Sequence, residues 1–314
     1  MINIFNKFSD LPIKVQKQVA NTQDNYMVVN GKVYNLDGEN INDKFHHRLD
    51  VKFTEKQAKN YTSFHSLTQF EKENGGFVFL FYQVNQSMTN YTNNLTKPDI
   101  TRLLYLTTYA AWDTNKIQYD NGRDISDKDL AKLLRLKTRQ YNDYIKRLID
   151  NEILIIDREN NKYISDNICK NGSLNKRQLH SQDIQYTRLF KDTVRKLYDS
   201  ATIREFSRLS TIYMILPYIN LYTNIVSYNP NESDYNKVKP MTMIDLSTTL
   251  GYADYNKLKN TMYKTMLDDQ YVFGFFLFEN DRRTMRIVVN PRVVYASNAN
   301  NLDAISVLFN SNNK

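Results

Sequence analysis

The side chains best suited to chemistry in this chain of 314 residues fall in two short stretches. One holds Thr138, Arg139, Gln140 and Asn142, and the other Tyr255, Asn256 and Lys257. Arg can bond both acceptors on a guanine edge, and Gln or Asn can pair bidentately with adenine. These seven residues are therefore candidate readers of DNA bases. Arg123, Lys132, Arg135, Lys137, Lys146 and Lys259 flank them and suit phosphates, which supply affinity without sequence information. Arg282 and Arg283 fall at an expected hairpin tip, where Arg suits a narrow minor groove. The bland reading of the same residues is a pair of solvated helix faces and a soluble hairpin tip.

Other chemistries find little support. There is no G-x-x-x-x-G-K-[ST] loop, no H-E-x-x-H and no G-x-S-x-G. The four histidines are His46, His47, His65 and His180. Adjacent residues on a strand point to opposite faces, so His46 and His47 are poorly placed to share a metal. With 23 tyrosines, a nucleophilic tyrosine cannot be singled out, and most are expected in the core or at interfaces. Cys169 stands alone, which excludes an internal disulfide framework and a thiolate zinc cluster, and it reads as an inert thiol. The expectation is a protein that is not an enzyme, with no cofactor and no metal.

Three helices followed by a two-stranded ribbon must position the first stretch. Pro98 suits a helix start, and Ile100, Leu103, Leu104, Thr107 and Ala111 recur at helical spacing through Trp112. Ser126-x-x-Asp129 is a near-capping box for a helix over 127–134. Thr138 is expected to cap the next, which buries Tyr141, Tyr144, Ile145 and Leu148 through about Asp150. Ile153–Ile156, a polar tip and Tyr163-Ile164 then form the ribbon.

The second half repeats this order. Thr202–Tyr222 reads as a helical run that Pro217 kinks or ends. Thr242-x-x-Asp245 opens a short helix, Gly251 ends it, and Asp254 caps a helix over 255–268. Strands over 271–278 and 284–289 complete a second ribbon. Asp129-Leu130 corresponds to Asp245-Leu246, Leu134 to Leu250, Tyr144 to Tyr263, Leu148 to Leu267 and Ile153 to Val272.

The remainder is less legible. Asn30-Gly31 marks a hairpin, 54–73 carries a weak helical pattern, and Phe77–Tyr82 reads as a strand. Residues 181–200 read as a basic amphipathic helix with Ile184, Phe190, Val194 and Leu197 near one face. After Asn298 only Ile305–Phe309 could pack. The expected fold class is mainly α with small β ribbons (α+β). Its expected parts are an α+β region over 1–96, winged helices over 97–172 and 201–297 joined by a helix over 173–200, and a polar tail over 298–314.

Charge fits a polyanionic partner. The net charge is +8, and residues 98–208 hold 21 basic against 16 acidic groups, most of the excess. No run approaches the roughly 18 apolar residues of a membrane span, and Met1–Asp10 lacks a signal-peptide core. A cytoplasmic protein of a bacterial host cell is expected. The abundance of Asn, Lys, Ile and Tyr reads as an AT-rich genome.

Asp129–Leu154 and Met241–Phe273, within about 200 residues from 98 to 297, resemble the replication-initiator proteins of iteron plasmids and of related phage and low-GC Gram-positive elements. That resemblance implies binding to repeated origin sequences in double-stranded DNA, exchange between homodimer and monomer, and recruitment of host replication proteins. Two other functions use the same elements. A phage or plasmid transcription regulator would bind an operator, and a winged-helix interaction subunit would serve helicase loading or a polymerase.

Overall fold

The computed structural model describes residues 26–29, 32–35, 66–83, 95–174, 184–278, 281–297 and 301–310. The chain divides into two compact units, residues 1–60 and 61–314. In the first, strands β1 (Tyr26–Val29) and β2 (Lys32–Asn35) pair antiparallel across Asn30-Gly31, the hairpin expected there. Everything below concerns the second unit.

That unit is a mixture of helices and small antiparallel sheets, an α+β fold. Helix α1 (66–73) leads through Gly75 and Gly76, both in left-handed conformation, into β3 (Phe77–Gln83). Helices α2 (Lys97–Thr107), α3 (Asp127–Leu133) and α4 (Thr138–Asp150) follow. Strands β4 (Leu154–Ile156) and β5 (Lys162–Ile164) form a ribbon, and β6 (Cys169–Lys170) closes the first half. The second half begins with β7 (Ile184–Phe190) and α5 (Lys191–Ser200). It continues with α6 (Phe206–Ile215), α7 (Met243–Thr249) and α8 (Tyr255–Tyr263). A small hairpin, β8 (Met266–Leu267) and β9 (Gln270–Tyr271), precedes the ribbon β10 (Phe273–Phe278) and β11 (Asp281–Val289). Strand β12 (Val294–Tyr295) and helix α9 (Leu302–Asn310) end it.

Capping chemistry places the helices. Thr96-x-x-Asp99 and Thr242-x-x-Asp245 form reciprocal capping boxes, and Ser126 accepts from the Asp129 amide. Pro217 falls in a 3₁₀ turn, so the regular part of α6 ends just before it. Helix α4 starts at Thr138, which does not cap it. The Gln140 side chain instead accepts from the Lys137 amide at 3.2 Å.

The four-stranded sheet, in the order β12-β7-β3-β6, joins the halves. Strands β3 and β7 pair antiparallel at its centre, with Phe79 opposite Arg188. Strand β6 pairs with β3 through Phe79 and Lys170, and β12 pairs with β7 through Arg188 and Tyr295. Phe79 and Arg188 thus hold equivalent places, and an approximate two-fold axis runs through that pair. Helix α2 packs on its counterpart α6, where the Thr101 hydroxyl donates to the Phe206 carbonyl at 2.6 Å. The main core lies between these layers. A smaller one brings Leu67 of α1 and Leu302, Ile305 and Phe309 of α9 together with Phe190 and Tyr295. The expectation that only 305–309 of the tail could pack falls short, since Leu302 is as buried as Phe309.

Several expected elements come out differently. Residues 184–190 are a central strand and not the start of a helix. Tyr186, Thr187 and Phe190 suit a pleated, half-buried surface, and pairing with β3 satisfies the backbone along its whole length. Val194 and Leu197 alone of the four expected face residues lie on a helix. Strand β3 enters the same sheet, so residues 61–96 belong with the larger unit. The first long helix stops at Thr107, and Trp112 lies beyond it in a turn. Helix α8 stops at Tyr263, and the residues expected to continue it form strand β8 and the turn of the β8–β9 hairpin, where Asp268 has a left-handed φ of 51°.

Candidate nucleic-acid interface

Each half presents two consecutive helices joined by a tight turn. In the first, the Leu134, Arg135 and Leu136 amides bond the carbonyls of Leu130, Lys132 and Ala131. In the second, the Leu250, Gly251 and Tyr252 amides bond those of Leu246, Thr248 and Ser247 in the same pattern. The left-handed residue is Gly251 (φ 71°) in one turn and Arg135 (φ 53°) in the other. Such a conformation costs a non-glycine residue about 1–2 kcal/mol. Arg135 is held there by its guanidinium, which donates to the Ala201 carbonyl at 2.6 Å and the Asp199 carbonyl at 3.0 Å. It also lies over the Tyr198 and Phe206 rings. Expected on phosphates, Arg135 is committed inside the protein.

Helix α4 buries Tyr141, Tyr144, Ile145 and Leu148 and turns its other face to solvent. Thr138, Arg139, Asn142 and Lys146 are exposed there, with no side-chain hydrogen bond or ion pair among the described residues. Gln140 is exposed too, with one oxygen engaged at the helix start. Lys132 on α3 and Lys137 at the turn are exposed. Arg147, placed on the same exposed face by helical spacing, turns inward and bonds Asp99 at 3.0 Å. Arg123 lies on the turn over 119–123, stacked 4.8 Å from the Tyr119 ring, and not on either helix.

The supports of α4 were not anticipated. Asp99, with only 4% of its side chain exposed, bonds Arg147 and also Arg102 at 3.4 Å. The buried Tyr144 hydroxyl donates to the Asp99 carbonyl at 3.2 Å. The Tyr141 hydroxyl donates to Asp127, which also takes an ion pair from Lys162 of the ribbon at 2.8 Å. Burial alone would raise the Asp127 pKa, but the bonds from Lys162 and Tyr141 outweigh it and hold the carboxyl below its ordinary range. The visible signal was the Thr96-x-x-Asp99 box, the same pattern that opens α3 and α7.

Helix α8 is shorter and buries only Leu258 and Met262. Tyr255, Asn256 and Lys257 are exposed, and the Lys259 amine lies 5.8 Å from the Tyr263 ring. Caps and burial pair Tyr141 with Leu258 and Ile145 with Met262. The expected matches of Tyr144 with Tyr263 and Leu148 with Leu267 therefore fail, since Tyr263 is exposed where Tyr144 is fully buried. The extra residues fall after the helix, in β8–β9. The matches at Asp129/Asp245, Leu134/Leu250 and Ile153/Val272 agree with the paired bonding of the two halves. Arg282 and Arg283 fall at the start of β11, and their side chains lie outside the described residues.

Among the described residues no group of three His, Cys, Asp or Glu could hold a metal, and no helix is long and apolar enough to cross a membrane. The four histidines lie outside the described residues. Cys169 is fully buried, and burial pushes its thiol far above the ordinary range. No known protein family, curated protein or solved structure matches this chain.

Proposed function

We propose that this protein binds double-stranded DNA sequence-specifically through two winged helices, and that it serves as a replication initiator on repeated origin sites. The observation that carries the reading is the duplicated helix–turn–helix with a following ribbon. Both copies leave much of the polar face of the second helix exposed, with Thr138, Arg139, Asn142 and Lys146 on α4 and Tyr255, Asn256 and Lys257 on α8 free of side-chain hydrogen bonds and ion pairs among the described residues. In that geometry the second helix enters the major groove, and its exposed side chains meet base edges. Arg139 and Asn142 on α4 are the principal readers, Gln140 keeps its amide nitrogen for a base, and Asn256 and Lys257 act from α8. Lys132, Lys137 and Lys146 hold phosphates. The initiator role rests on the resemblance of Asp129–Leu154 and Met241–Phe273 to plasmid initiators.

The approximate two-fold axis adds a geometric expectation, because the symmetry of a binding site mirrors that of its reader. The two halves of one site should run in inverted orientation, with different bases in each because α4 and α8 differ. Selection from a random duplex pool, repeated across a salt series, tests this. A two-part motif with a steep salt slope is expected. The absence of an enriched motif, with weak binding lost at modest salt, would overturn it.

A further inference from the structure

A cavity of about 860 Å³ opens between α1, the start of β3 and the hairpin over 109–119, remote in sequence from both reading helices. Sites for small ligands span about 300–1,000 Å³ and combine apolar walls with a few polar groups. Here the walls include Phe77, Tyr109, Tyr119 and Trp112, and Trp112 is 67% exposed although it is the only tryptophan in the chain.

The approximate symmetry shows that this space is particular to the first half. Gly76, Ala111 and Trp112 are equivalent to Gln185, Asn220 and Leu221. In the second half these three positions are covered by an insertion after Tyr228. The Leu221 amide bonds the Pro230 carbonyl at 2.9 Å, the Asn220 side chain bonds the Glu232 carbonyl at 2.9 Å, and Gln185 bonds Asn231. The first half has no such segment. Its hairpin closes at once through Tyr119 and Arg123, and the Trp112 ring stands open, while Arg123 lies over the Tyr119 ring and Arg195 over the Tyr109 ring.

The charges on the lining select a ligand. Glu71 is paired with Arg188 at 3.1 Å and Asp120 with Arg195 at 2.6 Å, so both carboxylates are neutralised. Lys72 and Lys191 have no ion pair or side-chain hydrogen bond among the described residues. Burial lowers the pKa of Lys191, the sign of an ammonium short of solvation. Flat aromatic walls beside two unpaired ammonium groups suit a planar base carrying phosphate. Bases stack on aromatic rings regardless of identity, and lysine takes phosphate as a point charge.

We propose that this cavity is a binding site for a free mononucleotide, with the base among Trp112, Tyr109 and Tyr119 and the phosphate at Lys191 and Lys72. The site is independent of the DNA-binding reading, and either can fail alone.

Trp112 supplies the assay. Its emission in the full-length protein is followed while AMP, GMP, CMP and UMP are titrated in turn, with the four nucleosides as uncharged controls. Saturable quenching by monophosphates is expected, with nucleosides at least tenfold weaker. Lys191→Met should weaken binding at least tenfold, and Lys191→Arg should retain most of it. Trp112→Ala alters an exposed side chain and should leave the circular dichroism unchanged while weakening AMP at least tenfold by calorimetry. Should Lys191→Met fail to fold, the Trp112→Ala result decides. No saturation at millimolar AMP, nucleosides as tight as monophosphates, or unaltered affinity in folded Trp112→Ala would each overturn the proposal.

Discussion

The two halves share a scaffold but hold their second helices differently. In the first, α4 runs for 13 residues and buries four side chains, while Asp99, Tyr144, Arg147, Tyr141 and Asp127 tie it to α2, α3 and the ribbon. In the second, α8 runs for 9 residues, buries two, and is fixed at its start by Asp254 bonding the Asn256 amide at 2.8 Å. One chain thus carries a braced helix and a lightly held one. A braced reader loses less freedom on binding, so α4 is suited to dominate recognition and α8 to extend it.

The sharpest break of this comparison is at Asp99. Its equivalent in the second half is Arg208, which pairs at 3.0 Å with the partly exposed Glu205. Asp99→Ala strips the carboxylate from Arg102 and Arg147 and removes the half of the α2 capping box in which Asp99 accepts from the Thr96 amide. Leaving buried charge unpaired costs about 3–5 kcal/mol, measurable by urea unfolding. Arg208→Ala at the matching place should cost below about 1 kcal/mol, since half-exposed pairs are screened. Equal losses would mean that the bracing of α4 is not what separates the halves.

The shared scaffold has its own test. Asn115 and Asn224 are equivalent, both buried, with φ of 56° and 54°. Asn115 donates to the Cys169 carbonyl at 2.8 Å, and Asn224 donates to the Val294 carbonyl at 2.8 Å, each fastening an outer strand of the sheet. Alanine at either site meets left-handed strain and orphans buried carbonyls, about 2–4 kcal/mol together. The two variants should lose similar amounts. A large difference would show that the halves are not equivalent even here.

This pair also shows where the sequence was legible and where it was not. The capping patterns at Ser126 and Thr242, the left-handed Gly251 and the apolar faces of α4 and α8 all act within one or two turns, so spacing revealed them. Thr114-Asn115 and Thr223-Asn224, each followed by a tyrosine four residues on, are an equally good repeat. The strand 184–190 reads as a helix in isolation, because β3 and β12, each about a hundred residues away, satisfy its backbone. Without it the first part of the repeat has no anchor. Arg135 and Arg147 look like free cations for a similar reason: their partners Asp199, Ala201 and Asp99 lie on other elements. Tyr144 and Tyr263 look interchangeable until the insertion at β8–β9 is located.

On a selected DNA site, Arg139→Ala should cost about 1–3 kcal/mol and relax base choice at one position. Lys257→Ala on the lightly held α8 should cost less, and a larger loss there would reverse the ranking of the two helices. Lys132→Ala should weaken all duplexes alike and flatten the salt slope by about one unit. Loss of selectivity with an unchanged slope would instead place Lys132 on a base.

The smallest effect concerns the Asp127 brace between α3, α4 and the ribbon. Its carboxyl is about half exposed, so the ties to Tyr141 and Lys162 contribute below about 1 kcal/mol after solvent screening. Because the folded pKa lies below the ordinary value near 3.9, this contribution is fully present above that value and is lost as pH falls through the folded one. Asp127→Asn should therefore be slightly less stable than the parent at neutral pH, and the gap should close in acid below about pH 4. Among the described residues the second half has no counterpart to this tie on α8. A stability difference between Asp127→Asn and the parent that persists unchanged into acid would show that the loss comes from packing or from the start of α3, and that ionised Asp127 does not brace α4.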